Sequence, residues 1–135
     1  IARLSKQASD RMAEILLAED DEAVREFVRR GLSYAGHEIT DVDDGTGALE
    51  ALADERFDLL LTDIVMPRMD GIALALKVAR DNPDLPILLM SGYALERQRA
   101  HNLDALIHEV IAKPFTLREI TDAVTTVLKD SGKLN

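Results

Sequence analysis

Phe57-Asp58-Leu59-Leu60-Leu61-Thr62-Asp63 is the stretch that decides the fold. Its apolar residues run without polar alternation, and the run is too short for an independent helix. A strand buried on both faces reads this way, which is the mark of a parallel sheet covered by helices on each side. Two further runs have the same character: Ile15-Leu16-Leu17-Ala18 upstream and Pro86-Ile87-Leu88-Leu89-Met90 downstream. Between them the period changes. From Glu22 to Ala35 the apolar positions Val24, Phe27, Val28, Gly31, Leu32 and Ala35 follow the spacing of a helix with one buried face, and Gly36 stops it. His37 to Val42 alternates polar and apolar residues weakly, as a strand does. The Asp44-Gly45 turn opens a second helix marked by Ala48, Leu49, Leu52 and Ala53.

Beyond the central run, Asp70 is a candidate N-cap for a helix from Gly71 to Arg80, and Asn82-Pro83-Asp84 turns the chain into the fourth strand. Tyr93 to about Asn102 reads as a short polar helix and His108 to Ala112 as a fifth strand. Thr116 to Leu128 is a last helix, with Leu117, Ile120, Val124 and Val127 on one face and a Thr116/Glu119 capping box at its start. Strand-then-helix units in succession predict a doubly wound α/β domain with right-handed crossovers.

Composition narrows the function. At 135 residues one domain is expected, and a chain of this size buries roughly 65–70% of its unfolded surface. Absence of Cys excludes a disulfide scaffold, a Cys-ligated metal and thiol catalysis, and fits a reducing compartment such as the cytoplasm. A net charge of −9 with no basic patch disfavours nucleic acid and anionic membrane as direct partners. No apolar run approaches the roughly 20 residues that a membrane helix needs. Residues 1–12 read as a leader, 13–130 as the domain and 131–135 as a tail stopped by Gly132.

Function is legible in the residues that end the apolar runs. The first ends in Glu19-Asp20-Asp21, the third in Asp63, the fourth in Ser91, the fifth in Lys113-Pro114. In an open parallel sheet, ligands bind at the carboxyl ends of the strands, so these residues converge on one rim. Two carboxylates about 4 Å apart repel by roughly 4 kcal/mol at an effective dielectric near 20. A raised pKa or a bound cation relieves that repulsion, and a hard divalent ion such as magnesium suits an all-oxygen donor set. An aspartate nucleophile, a cation, an ammonium and a hydroxyl are the parts of a phosphoryl-transfer site. Taken singly, Asp20 reads equally as an N-cap, Asp63 as a turn residue, Lys113 as a solvated charge and Ser91 as part of a turn. Asp21 and Glu22 fit the first helical turn. His37, His101 and His108 have no metal-ligand spacing and read as surface or strand-edge residues, Met66 and Met69 as packing. No phosphate-cradling glycine loop follows the first strand, which argues against a dinucleotide site.

These pieces resemble the receiver domain of bacterial two-component response regulators. The likeness runs from Ala13 to about Lys129 and rests on Ile15 through Asp21, Asp63 through Gly71, Met90-Ser91-Gly92 and Lys113-Pro114-Phe115. It implies a flavodoxin-like (βα)5 fold with a five-stranded parallel sheet in the order 2-1-3-4-5. It implies that Asp63 is the phosphoacceptor, loaded from a sensor histidine kinase or histidine phosphotransfer protein. Glu19, Asp20, Asp63 and the backbone carbonyl of Val65 would hold Mg2+. Ser91 would be the switch hydroxyl and Lys113 the phosphoryl partner, before a cis bond to Pro114. Such a module is not an enzyme beyond self-phosphorylation and slow self-dephosphorylation, and signals to a downstream protein through the face of the fourth helix, fifth strand and fifth helix. Two departures stand out: Glu19 where Asp is common, and Val110 where an aromatic ring often accompanies the switch. Tyr93 is then a candidate cover for the phosphoryl site, and Val65 with Tyr93 offers an attacking water little polar help. The sequence alone also admits a phosphorylation-independent adaptor on this fold. A metal-dependent phosphatase is disfavoured, because such enzymes place a second Asp where Val65 stands. The short chain is expected to be a stand-alone receiver.

Overall fold

The computed structural model describes residues 13–101 and 109–134. Five strands alternate with five helices: β1 (Glu14–Ala18), α1 (Glu22–Tyr34), β2 (Glu38–Val42), α2 (Gly45–Asp54), β3 (Leu59–Asp63), α3 (Gly71–Asp81), β4 (Ile87–Ser91), α4 (Ala94–His101), β5 (Glu109–Ala112) and α5 (Leu117–Asp130). All pairings are parallel and the order is β2-β1-β3-β4-β5, the expected doubly wound sheet. The readings for residues 1–12, Asn102 and His108 fall outside the described residues.

Each uninterrupted run is buried on both faces because alternate residues serve opposite layers. Leu16, Leu60, Ile87 and Leu89 pack with Ala48 of α2 and Leu74, Ala75 and Val78 of α3. Ile15, Leu17, Leu59, Leu61, Leu88 and Met90 pack with Val28 and Leu32 of α1 and Ile120, Val124 and Leu128 of α5. Each fully buried aliphatic side chain contributes about 1.5–3 kcal/mol, so these central strands anchor both layers. The edge strands β2 and β5 are only partly buried, as the weaker alternation of β2 implies.

Helix starts follow local chemistry. Asp44 accepts from Gly47 N–H, Asp70 from Ala73 N–H, and Thr116 and Glu119 form the expected capping box. Two expectations need correction. The cap of α1 is Asp21, which accepts from the N–H groups of Ala23 and Val24. Asp20 is thereby left outside the helix, free to face the strand ends. His37 is buried, only 5% exposed, with Nδ1 lacking a partner among the described residues, and burial lowers its pKa. The sequence suggested a surface or strand-edge place, but His37 follows the Gly36 turn (φ 105°) that ends α1, and its N–H donates to Leu32 O. Beyond α5, Gly132 takes φ 74°, Lys133 N–H donates to Leu128 O, and Leu134 packs against the core.

Candidate functional site

Sheet register builds the site. Ala18 pairs with Thr62, Asp63 with Met90, and Ser91 with Ala112, so the residues following these positions emerge along one edge. Loop hydrogen bonds continue the ladder: Glu19 N–H donates to Val42 O, Ile64 N–H to Met90 O, and Lys113 N–H to Ser91 O. Glu19, Asp20, Asp63 and Lys113 thus reach one open cavity of about 680 Å³, with Val65 and Tyr93 also in its lining.

Carboxylate oxygens of Glu19, Asp20 and Asp63 all lie within 4.8 Å of one another. Glu19 and Asp63 are buried and Asp20 is exposed. Lys113 Nζ stands 2.7 Å from Glu19 Oε1 and 3.2 Å from Asp63 Oδ1, and Lys113 is joined to Pro114 by a cis peptide bond. Burial pushes the Glu19 carboxyl up to about 7, with the charge of Asp63 adding to the rise and the Lys113 hydrogen bond opposing it. Burial also raises Asp63, against the ammonium of Lys113. Burial works against the charge on Lys113, but its two carboxylate partners outweigh it and hold its pKa above the ordinary value. Three clustered oxygen ligands, two of them resisting ionisation, are the donor set and the electrostatic stress that a hard divalent cation relieves.

Ser91 is fully buried at the same edge, but its hydroxyl donates to Tyr93 O at 2.9 Å and accepts from Tyr93 N–H at 3.4 Å. Tyr93, 65% exposed, and Val65, 50% exposed, form an apolar part of the cavity mouth. Val110 is partly buried and packs against the core.

Two arginines brace the loops of this site without having been singled out by the sequence. Arg25 Nη1 donates to the Glu19 carbonyl at 2.8 Å, and its Nε lies 3.4 Å from Asp41 Oδ2. Arg68 binds Asp44, 24 residues earlier in the chain. Charged surface positions carry no periodic signal of such partners; the position of Arg68 inside the Asp63–Gly71 motif was the one available hint.

Fold and site together define a receiver domain. A family model for the response regulator receiver domain matches residues 15–125, and the chain belongs to that family, the receiving module of two-component signalling. It is 42% identical over 117 residues to the response regulator receiver protein CpdR of Brucella abortus, a match covering 87% of this chain and 98% of CpdR. It is 37% identical to the response regulator MprA of Mycobacterium leprae over 85% of this chain and 50% of MprA, so it spans about half of that relative. The crystal structure of the response regulator TrrA from Thermotoga maritima, in complex with Mg2+ and BeF, superimposes with a TM-score of 0.78 at 27% identity, over 86% of this chain and 99% of TrrA. Among the described residues no helix is long and apolar enough to cross a membrane.

Proposed function

We propose that Asp63 accepts a phosphoryl group from a phosphohistidine of a sensor histidine kinase or histidine phosphotransfer protein, with Mg2+ held by Glu19, Asp20, Asp63 and the Val65 carbonyl. The observation that carries this reading is the convergence of three carboxylates and one ammonium at the carboxyl edge of the sheet. The complex of TrrA with Mg2+ and BeF supports it by likeness. A carboxylate oxygen of Asp63 attacks phosphorus, the bond from phosphorus to the imidazole nitrogen breaks, and the imidazole leaves with that electron pair. Lys113 favours the ionised form of Asp63 against its burial and then faces the charge of the transferred group. A bound magnesium ion supplies further neutralisation of the phosphoryl oxygens. Ser91 Oγ, now turned to Tyr93, is the hydroxyl within the same strand-end rim that is free to rotate toward the acyl phosphate. The signal leaves through protein contacts on the face of α4, β5 and α5, as a shift between two conformations. The chain is not an enzyme beyond loading and slowly losing its own phosphoryl group, and this reading places it in the cytoplasm with its phosphodonor.

Incubation with acetyl phosphate and Mg2+, followed by intact mass measurement, is expected to add one phosphoryl group to the natural chain and none to Asp63→Asn. Labelling of Asp63→Asn would overturn the assignment. Partner capture that is equal for phosphorylated and Asp63→Asn protein would favour a phosphorylation-independent adaptor, and sustained phosphate release from small phosphomonoesters a phosphatase.

A further inference from the structure

The geometry points to Arg68 as a positioning residue: anchored on Asp44, it fixes the β3–α3 turn and with it the Val65 carbonyl that would complete the metal ligands. The inference rests on the reading of Asp63 as a Mg2+-dependent phosphoacceptor. The turn is fastened at two levels. At its base, Gly71 N–H donates to Ile64 O at 2.7 Å, and a Cβ on Gly71 would lie 2.0 Å from the Asp63 carbonyl oxygen. Backbone meets backbone there, with no room to shift. At its apex, Arg68 adopts φ 67°, a left-handed conformation that residues with a Cβ rarely take unless their surroundings hold them in it.

What holds it is Asp44. Arg68 Nε donates to Asp44 Oδ2 at 2.7 Å and Nη2 reaches the same oxygen. Asp44 is only 4% exposed, and its other oxygen accepts from Gly47 N–H at 2.7 Å as the cap of α2. The anchor is therefore a buried carboxylate already fixed to a helix, unlike the mobile partners of an ordinary surface ion pair. A third contact closes the arrangement: a Cβ on Gly45 would sit 2.9 Å from the Met69 carbonyl oxygen, so the two loops touch directly. Val65 lies between base and apex and lines the cavity, whereas Arg68 does not. Arg68 therefore acts on the site through the turn, as outer partners orient metal ligands elsewhere.

The test separates metal binding from chemistry. Direct binding is read from the loss of free Mn2+ signal in electron paramagnetic resonance, and chemistry from the rate of acetyl phosphate labelling across a Mg2+ titration. Arg68→Ala is expected to weaken Mn2+ binding roughly tenfold and to shift Mg2+ half-saturation by the same factor, leaving the rate at saturating Mg2+ within about twofold. Arg68→Lys restores part of the loss. Asp44→Asn, which keeps the capping oxygen but places an amide before the guanidinium, reproduces it, and the double variant is no weaker than either single one. Circular dichroism checks the fold, and if Arg68→Ala fails to fold, Asp44→Asn decides. Mn2+ binding at the natural strength in the folded variants overturns the inference, as does a lowered maximal rate at unchanged half-saturation. Failure of the natural chain itself to bind Mn2+ overturns the magnesium reading on which the inference stands.

Discussion

Lys113 Nζ lies closer to Glu19 Oε1, at 2.7 Å, than to the proposed phosphoacceptor Asp63, at 3.2 Å. The ammonium is thus shared between two buried carboxyls, with Glu19 wholly removed from solvent. A single positive charge does not satisfy two desolvated acids, and Glu19 responds by holding its proton to about pH 7.

This sharing makes stability depend on pH and metal together. Burial raises Glu19 from an ordinary 4.5 to about 7, so the folded chain binds its proton more tightly than the unfolded chain. The resulting contribution is fully present below about 4.5 and is lost as pH rises through about 7, a swing on the order of 3 kcal/mol. A cation among the carboxylates favours their ionised forms. Urea unfolding is therefore expected to show a larger Mg2+ stabilisation at pH 8 than at pH 5.5, and Glu19→Gln is expected to reduce the difference. Equal stabilisation at both pH values would contradict the coupling.

Gly71 and Gly92 both sit in motif segments, but their surroundings differ. A Cβ on Gly71 meets the Asp63 carbonyl oxygen at 2.0 Å, whereas one on Gly92 meets nothing within 4 Å. Gly71→Ala is expected to cost about 1–3 kcal/mol or more, because backbone cannot yield as a flexible side chain does. Gly92→Ala is expected to stay within about 0.5 kcal/mol of the natural chain. Chemical denaturation of the two variants checks the contrast.

Thr116 closes a reciprocal capping box with Glu119, each side chain bonding the other's backbone N–H at 2.9–3.1 Å. Thr116→Ala is expected to cost about 1 kcal/mol, and Thr116→Ser to recover most of it. Phosphoryl transfer to Asp63 is expected to proceed in both, since the box lies on the helix and not among the carboxylates. A thermal melt with a labelling assay separates the two effects.

Val65 and Tyr93 leave the cavity mouth apolar beside Asp63. Neither Val65 nor Tyr93 offers an attacking water a carboxylate or amide, so the phosphorylated chain is expected to persist well beyond seconds in buffer with Mg2+. Val65→Asn supplies a hydrogen-bonding group at the mouth and is expected to speed hydrolysis several-fold, below the roughly 10²–10⁴-fold that a positioned acid or base supplies. The decay of the phosphorylated species by mass spectrometry measures both.

The local sequence determined much of this protein. Unbroken apolar runs at Ile15–Ala18 and Leu59–Leu61 made strands of the parallel type, because burial on both faces leaves no place for polar alternation. Caps at Asp70 and Thr116 were readable because their bonds reach only three residues along the chain. The convergence of Glu19, Asp20, Asp63 and Lys113 was readable too, since in a parallel sheet the residue that ends a strand is placed at the ligand edge by topology alone.

What the chain could not reveal residue by residue was decided by contacts between distant segments. Whether Asp20 or Asp21 capped α1 depended on where the helix settled, and only Asp21 turned its oxygen to Ala23 and Val24. His37 lies buried after the Gly36 turn, a placement its local sequence did not announce. Arg68 found Asp44 across 24 residues, and Lys113 found Glu19 across 94. Composition and period report which face of an element avoids water. They carry no record of which partner a polar group meets once the faces have packed, because that pairing is set by sheet register and loop geometry.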